Sequence, residues 1–158
     1  MFREMRRKKQ EVNKEECVNI LKTEKRGVVS VIGDNGYPYG VPINFYYDEE
    51  NEKVYFHCAK EGHKIDAIKN CSKVCFTTWN NGFKKEGDWA FYVTSVIIMG
   101  DAKLITDETV ICDKVRKLGL KYYPTKEEVD AEISRDIKRV QLVEISIEHM
   151  TGKLVHEK

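Results

Sequence analysis

The stretch YFHCAKEGHKID, residues 55–66, brings two histidines, two lysines, a cysteine and a glycine into one short run. Three chemistries could use such a set. His57, Cys58 and His63 are metal-ligand types, a thiol beside an imidazole can begin a nucleophilic site, and Gly-His-Lys at a helix start can cradle a phosphate. Neighbouring residues on a strand face opposite sides, so His57 and Cys58 do not easily share one ion. The other histidines, His149 and His156, offer no recognised ligand spacing. Cys58 falls in line with Val54 and Phe56, the pattern of a buried thiol, and neither an orienting group nor an oxyanion donor is visible. In the phosphate reading, Gly62 permits close backbone approach and the free amides of a first helical turn point at the anion. Lys64 adds charge and His63 a further donor.

These residues need a frame. Asn13 followed by Glu16 resembles a capping box, and Val12, Cys17, Ile20 and Leu21 recur at helical spacing, which predicts a first helix to about Glu24, ended by Gly27. VVSVI, YPYGVPINFYYD and KVYFHCA follow, separated by DNG and EENE, and read as three strands joined by hairpins. Val41, Ile43, Phe45 and Tyr47 share one face, with Pro42, Asn44 and Tyr46 opposite; Val54, Phe56 and Cys58 likewise oppose Tyr55, His57 and Ala59. Pro42 inside a good strand marks an edge or an irregular pairing, where backbone groups stay free for a planar ligand. GHKIDAIKN reads as a short helix, KVCFTTW as a strand and NNGFKKEGD as a polar loop. WAFYVTSVIIMGDAKLIT reads as a long strand with a bulge or bend at Gly100. Helices are predicted over 107–120 and 125–135, and a last strand over KRVQLVEISIEHM, with His149 at the surface after it. Trp79 and Trp89 flank the loop as packing residues, and Tyr122, Tyr123 and Pro124 end a helix.

Hairpin-linked strands with helices inserted late argue against a doubly wound parallel sheet. The expected fold is mainly β with flanking helices (α+β): an antiparallel split barrel of about six strands. Residues 1–158 form a single domain, with 1–10 a basic N-terminal arm. The chain has 27 Lys+Arg against 26 Asp+Glu and a net charge of +1, so no global field favours nucleic acid or a membrane surface, and an anion must be held locally. No apolar stretch follows the basic start and none is long enough to span a bilayer, which predicts a soluble cytoplasmic protein. The five cysteines lack a CxxC and read as reduced, mostly buried thiols.

PYGVPINFYYD, VYFHCAKEGHKIDAIKN, KVCFTTW, TSVIIMGDAKLITD and VEISIEHMTGK, with the opening MRRKKQE, resemble the pyridoxamine 5'-phosphate oxidase-related flavoproteins, in the 5-nitroimidazole resistance (Nim-type) branch. The resemblance implies an FMN-binding split barrel that forms a homodimer with flavin sites between the subunits. Pro42, Ile43, Asn44 and Phe45 would lie along the isoalloxazine and supply backbone hydrogen bonds, and His57, Cys58 and Ala59 would continue that wall. Gly62, His63 and Lys64 would meet the phosphate, and Ser95 with Val96 would approach from the later strand. Chemistry would be centred on the flavin, without catalytic side chains, passing electrons from NADH or NADPH to a small acceptor such as a nitroaromatic. A substrate-phosphate cluster like that of the true pyridoxamine-phosphate oxidases is missing, which argues against vitamin B6 oxidation. The competing functions are a non-catalytic flavin carrier or sensor and a metal-binding or purely structural barrel.

Overall fold

The computed structural model describes residues 1–157. In chain order the elements are β1 (Glu11–Val12), α1 (Lys14–Thr23), β2 (Arg26–Ile32), β3 (Pro38–Asn44), β4 (Tyr46–Asp48), β5 (Lys53–Ala59), α2 (His63–Asn70), β6 (Lys73–Trp79), β7 (Tyr92–Ile105), α3 (Glu108–Leu120), α4 (Lys126–Asp136) and β8 (Val140–His156). Helix starts follow their capping chemistry. The Asn13 side chain accepts from the Glu16 amide at 2.9 Å, Asp107 accepts from the amides of Thr109 and Val110, and Thr125 from that of Glu128. Among the described residues, no helix is long and apolar enough to cross a membrane.

Every strand pairing is antiparallel, in the order β3-β2-β6-β7-β8-β5-β4, with β1 added to β8. The main path therefore has seven strands where about six were expected. The extra strand arises at Phe45, which separates β3 from β4. Because β3 pairs with β2 and β4 with β5, the two ends of the path are halves of one bent chain segment, and the sheet curls into a barrel split between β3 and β5.

At the break, the backbone of Phe45 leaves the strand ladder and bonds to the α3–α4 turn. Its amide donates to Tyr122 Oη at 2.9 Å, and its carbonyl accepts from Tyr122 Oη at 3.0 Å and from Lys121 Nζ at 3.3 Å. The single Tyr122 hydroxyl proton is shared with the carbonyl of Lys25. Lys121 also reaches the Leu21 carbonyl at 3.3 Å, and burial draws its pKa down to about 8.

The barrel interior holds Val29, Val31, Phe45, Val54, Phe56, Phe76, Val96, Ile98, Val143 and Ile145, joined by Cys17, Ile20 and Leu21 of α1 and Ile65, Ala67 and Ile68 of α2. The alternation read for β3 to β5 holds: Ile43, Phe45, Tyr47, Val54 and Phe56 are buried, while Pro42, Asn44, His57 and Ala59 are exposed. The register shift in β7 falls at Met99/Gly100, where a Cβ would strike the Ser146 carbonyl.

Several expectations change. Glu24, not Gly27, closes α1; Gly27 lies in β2, where a Cβ would strike the Phe76 ring at 2.5 Å. The last strand continues through His149 to His156 because β7 pairs with it over its full length. His149 is thus a strand residue, stacked on Phe2 of the basic arm at 4.7 Å. Only Cys17 is fully buried among the cysteines, all of which are free, and Cys112 is exposed. Trp79 and Trp89 are exposed rather than packed.

A second, outer cluster seats α3 on the sheet through Tyr55, Ile105 and Leu142. Beneath it lies a polar knot: Glu144 accepts from Lys53 at 2.6 Å and from the Tyr55 hydroxyl at 2.7 Å, and Lys114 of α3 pairs with the buried Asp48 at 2.8 Å. Burial alone would raise both carboxyls, but for Glu144 the bonds from Lys53 and Tyr55, and for Asp48 those from Lys114 and Asn51, outweigh it and hold both below the usual range.

Both carboxylates bind protons more weakly folded than unfolded. Their stabilisation is therefore complete above the ordinary carboxylate range and lost as pH falls through the folded values. Denaturant unfolding should show stability falling below about pH 4, with a shallower fall in Glu144→Gln. Tyr122→Phe should cost about 1–3 kcal/mol, because it leaves the Phe45 amide without its partner. Tyr123→Phe, an exposed neighbour, should stay within about 0.5 kcal/mol in the same measurement.

Candidate functional site

The site is built where β5 gives way to α2. Gly62 takes φ +123°, a conformation open to glycine, and a Cβ there would project into empty space. Its carbonyl accepts from the amides of Ile65 and Asp66 at 2.9 and 3.1 Å. No side chain caps the helix, and among the described residues no bond within the chain engages the amides of His63 and Lys64. Two donors therefore face outward at the positive end of a helix, which suits an anion.

The side chains around this start divide. The His63 ring turns to the β2–β3 hairpin, stacking on Tyr39 at 4.4 Å, with Nε2 lying 3.4 Å from the Asp34 amide nitrogen and 3.8 Å from its carboxylate. Lys64 places its ammonium 5.7 Å from the centre of the Phe56 ring. It is close enough to His57 and Cys58 to act on both: desolvation where the partly exposed His57 ring lines the cavity, then Lys64, lowers its pKa, whereas burial raises that of Cys58 against the pull of Lys64. His57 is therefore a neutral imidazole near pH 7, and Cys58 is a protonated thiol.

His57 and Cys58 occupy opposite faces of β5, and no three His, Cys, Asp or Glu side chains among the described residues gather in a metal-binding arrangement. His57 and Asn44 instead look into one cavity of about 260 Å³, roofed by α3 and α4 through Leu118, Tyr122, Tyr123 and Ile133. Pro42 and Ala59 continue the same exposed faces. Ile43 and Phe45 point their side chains into the core, which leaves only their backbone for a ligand, and the Phe45 amide and carbonyl are already engaged by Tyr122 and Lys121.

Ser95 lies elsewhere. It pairs with Trp79 and Lys153 on the outer face of β6, β7 and β8, with β2 and β6 between it and β3, and Val96 beside it is fully buried. Within one chain the structure joins Pro42, Asn44, His57, Ala59, Gly62, His63 and Lys64, but not Ser95 or Val96. The sequence reading missed the helical roof. Its signal was present as apolar residues at three- and four-residue spacing, Val115–Leu118–Tyr122 and Val129–Ile133–Ile137, with Gly119 between. A Cβ at Gly119 would lie 2.8 Å from Val129, so that glycine lets the two helices close.

A split antiparallel barrel with an anion-ready helix start beside its edge strand defines the architecture of the pyridoxamine 5'-phosphate oxidase fold. The chain belongs to the pyridoxamine 5'-phosphate oxidase family, whose pattern matches residues 13–154. A candidate 5-nitroimidazole antibiotic resistance protein from Bacteroides thetaiotaomicron superposes with a TM-score of 0.76 at 21% identity, covering 92% of this chain and 87% of its own. The flavocytochrome Anf3 from Azotobacter vinelandii gives 0.78 at 22% identity, covering 96% and 72%. An FAD-binding protein from Mesorhizobium loti gives 0.67 at 18%, covering 92% and 97%. At these identities the likeness is one of fold. No curated protein matches the chain in sequence.

Gly62→Ala should destabilise the protein by about 1–3 kcal/mol in denaturant unfolding, since an L-residue is strained at that φ. Gly36→Ala tests the generality of this argument: it also has positive φ, at +78°, but lies in a hairpin turn outside the junction. It should cost stability without altering anion binding at α2.

Proposed function

We propose that this chain is an FMN-binding oxidoreductase that reduces a small acceptor, such as a nitroaromatic, with NADH or NADPH as electron donor. The observation that carries this reading is the β5–Gly62–α2 junction, where two unengaged amides and Lys64 stand beside the exposed faces of β3 and β5. A phosphate needs the first and a flat ring needs the second. The residues fit the cofactor: the open space at Gly62 leaves room for phosphate oxygens, and Pro42, Asn44, His57 and Ala59 form the ring wall. FMN would supply the acceptance and release of electrons, and the protein would hold and orient it. Four of the structural relatives are flavin proteins by description, which supports a flavin of some kind.

The proposal includes a homodimer. The outer sheet face carries cross-strand rows that run Pro42–Val28–Thr77–Ile97–Thr151 and Gly40–Ser30–Cys75–Met99–His149. Ile32, Trp79, Ile97 and Met99 on this side are 40–51% exposed, more apolar surface than a solitary barrel wall needs. A second copy set against this face would bring its Ser95 toward the first copy's flavin wall, joining residues that lie apart in one chain.

The purified protein should be yellow, release a chromophore with the mass of FMN on heating, and sediment as a dimer. Lys64→Ala should weaken FMN binding by about 1.5–3 kcal/mol, read by fluorescence titration, through loss of a charge-assisted contact. A colourless protein that FMN cannot titrate would sink the reading. Bound flavin that neither NADH nor NADPH bleaches would favour a carrier.

A further inference from the structure

We propose that the cavity under α3 and α4 is the acceptor subsite, and that it selects a single uncharged aromatic ring and rejects anions. This rests on the flavin reading above, because Asn44 and His57 are shared between the flavin wall and the cavity floor.

Size comes first. A cavity of roughly 150 Å³ accommodates benzene, so about 260 Å³ suits one substituted ring. A tricyclic flavin with its ribityl phosphate needs a larger pocket, of roughly 300 Å³ or more. The flavin therefore lies beside this space and not inside it.

The lining chemistry then selects charge. The walls are mostly apolar, with Val115, Leu118, Val129, Ile133 and Val140 on several sides, and among the described residues they contain no lysine or arginine. The ionised groups that line them are carboxylates, Glu132 and Asp136, both paired with Arg135, at 2.6 and 2.8 Å. Lys64 acts on His57 from nearby but is not part of the lining, its ammonium standing 5.7 Å from the centre of the Phe56 ring. An anionic ring would lose its hydration among apolar walls whose carboxylates are already paired, with no cation in the lining to meet it. A neutral ring loses only apolar hydration, and its substituent finds hydrogen-bonding groups in the Asn44 amide and the neutral His57 imidazole. Pyridoxal-type phosphates and aromatic carboxylates are thereby excluded on charge.

The roof ties the subsite to the barrel seam. Tyr122 lines the cavity while its hydroxyl is spent on Phe45 and Lys25, so its ring is a fixed wall. Gly119 sets the depth of the roof by allowing Val129 to approach.

The test uses full-length protein, with and without added FMN, and nitrobenzene and 4-nitrobenzoate as probes, followed by amide chemical-shift perturbation. Nitrobenzene should bind saturably at least tenfold more tightly than 4-nitrobenzoate, shifting amides of Gly119, Tyr122, Tyr123 and Ile133. Ile133→Trp, which fills the space, should weaken nitrobenzene at least tenfold while FMN affinity changes less than twofold. Ile137→Trp, nearer the end of the roof, serves the same purpose if the first variant does not fold. Equal binding of the two probes, or nitrobenzene binding unaffected by both fillings, overturns the proposal. Nitrobenzene seated in the cavity of a protein that cannot bind FMN upholds the subsite and refutes only the flavin reading.

Discussion

A single residue controls how this barrel closes. At Phe45 the strand turns from one neighbour, β2, to another, β5, and its amide and carbonyl cannot stay in either ladder. A backbone group left unpaired at such a point costs as much as a typical side-chain interaction gains. The protein meets this demand from outside the sheet, with a phenol and an ammonium at the end of α3. The Phe45 side chain meanwhile packs edge-on to Phe76 in the core at 4.8 Å. One residue thus joins the barrel interior, the seam and the helical layer.

The helical layer is placed by that same requirement. Tyr122 and Lys121 fix the C-terminal end of α3 over the seam, and Lys114 with Asp48 fixes its middle over β4. Between these anchors α3 packs on β5 through Tyr55, and α4 packs against α3 through Gly119 and Val129. The space that remains above Asn44 and His57 is a consequence of where the helices are tethered. Charge follows the same logic: Lys121 is consumed by the seam, Lys114 by Asp48 and Arg116 by Asp130, and among the described residues no lysine or arginine lines the cavity.

Much of this was legible in the sequence. Alternation identified both faces of β3 and β5, turn residues located the hairpins, and the strand–glycine–helix junction stood out in YFHCAKEGHKID because three residue types with special roles coincide there. Gly100 is readable as a bulge because a glycine inside a long β-rich run usually marks a bend or a close backbone approach. The break at Phe45 is not readable, because INFYYD alternates without interruption and nothing local tells of a phenol 77 residues later in the chain. The tethering of His63 to Tyr39 and Asp34 is hidden for the same reason. Gly27 misleads because a glycine after a helix usually caps it, whereas this one makes room for the Phe76 ring from a strand made much later. Cys75 reads as a core thiol, but its strand parity puts it on the outer face in the row with Met99.

Strand β8 has a consequence for how the protein comes into being. It lies between β7 and β5 in the sheet, yet of all the barrel strands it is synthesised last. Until residues 140–156 leave the ribosome, the nascent chain carries two unsatisfied strand edges, those of β5 and β7, and its interior is open along one side. Such edges invite pairing with other chains. The barrel is thus committed to closing after synthesis of this segment, by insertion of a central strand, and a ribosome stalled before it would display a sticky half-barrel. For this fold the hazardous interval is birth, and chaperones that shield strand edges would matter most in the moments before β8 arrives.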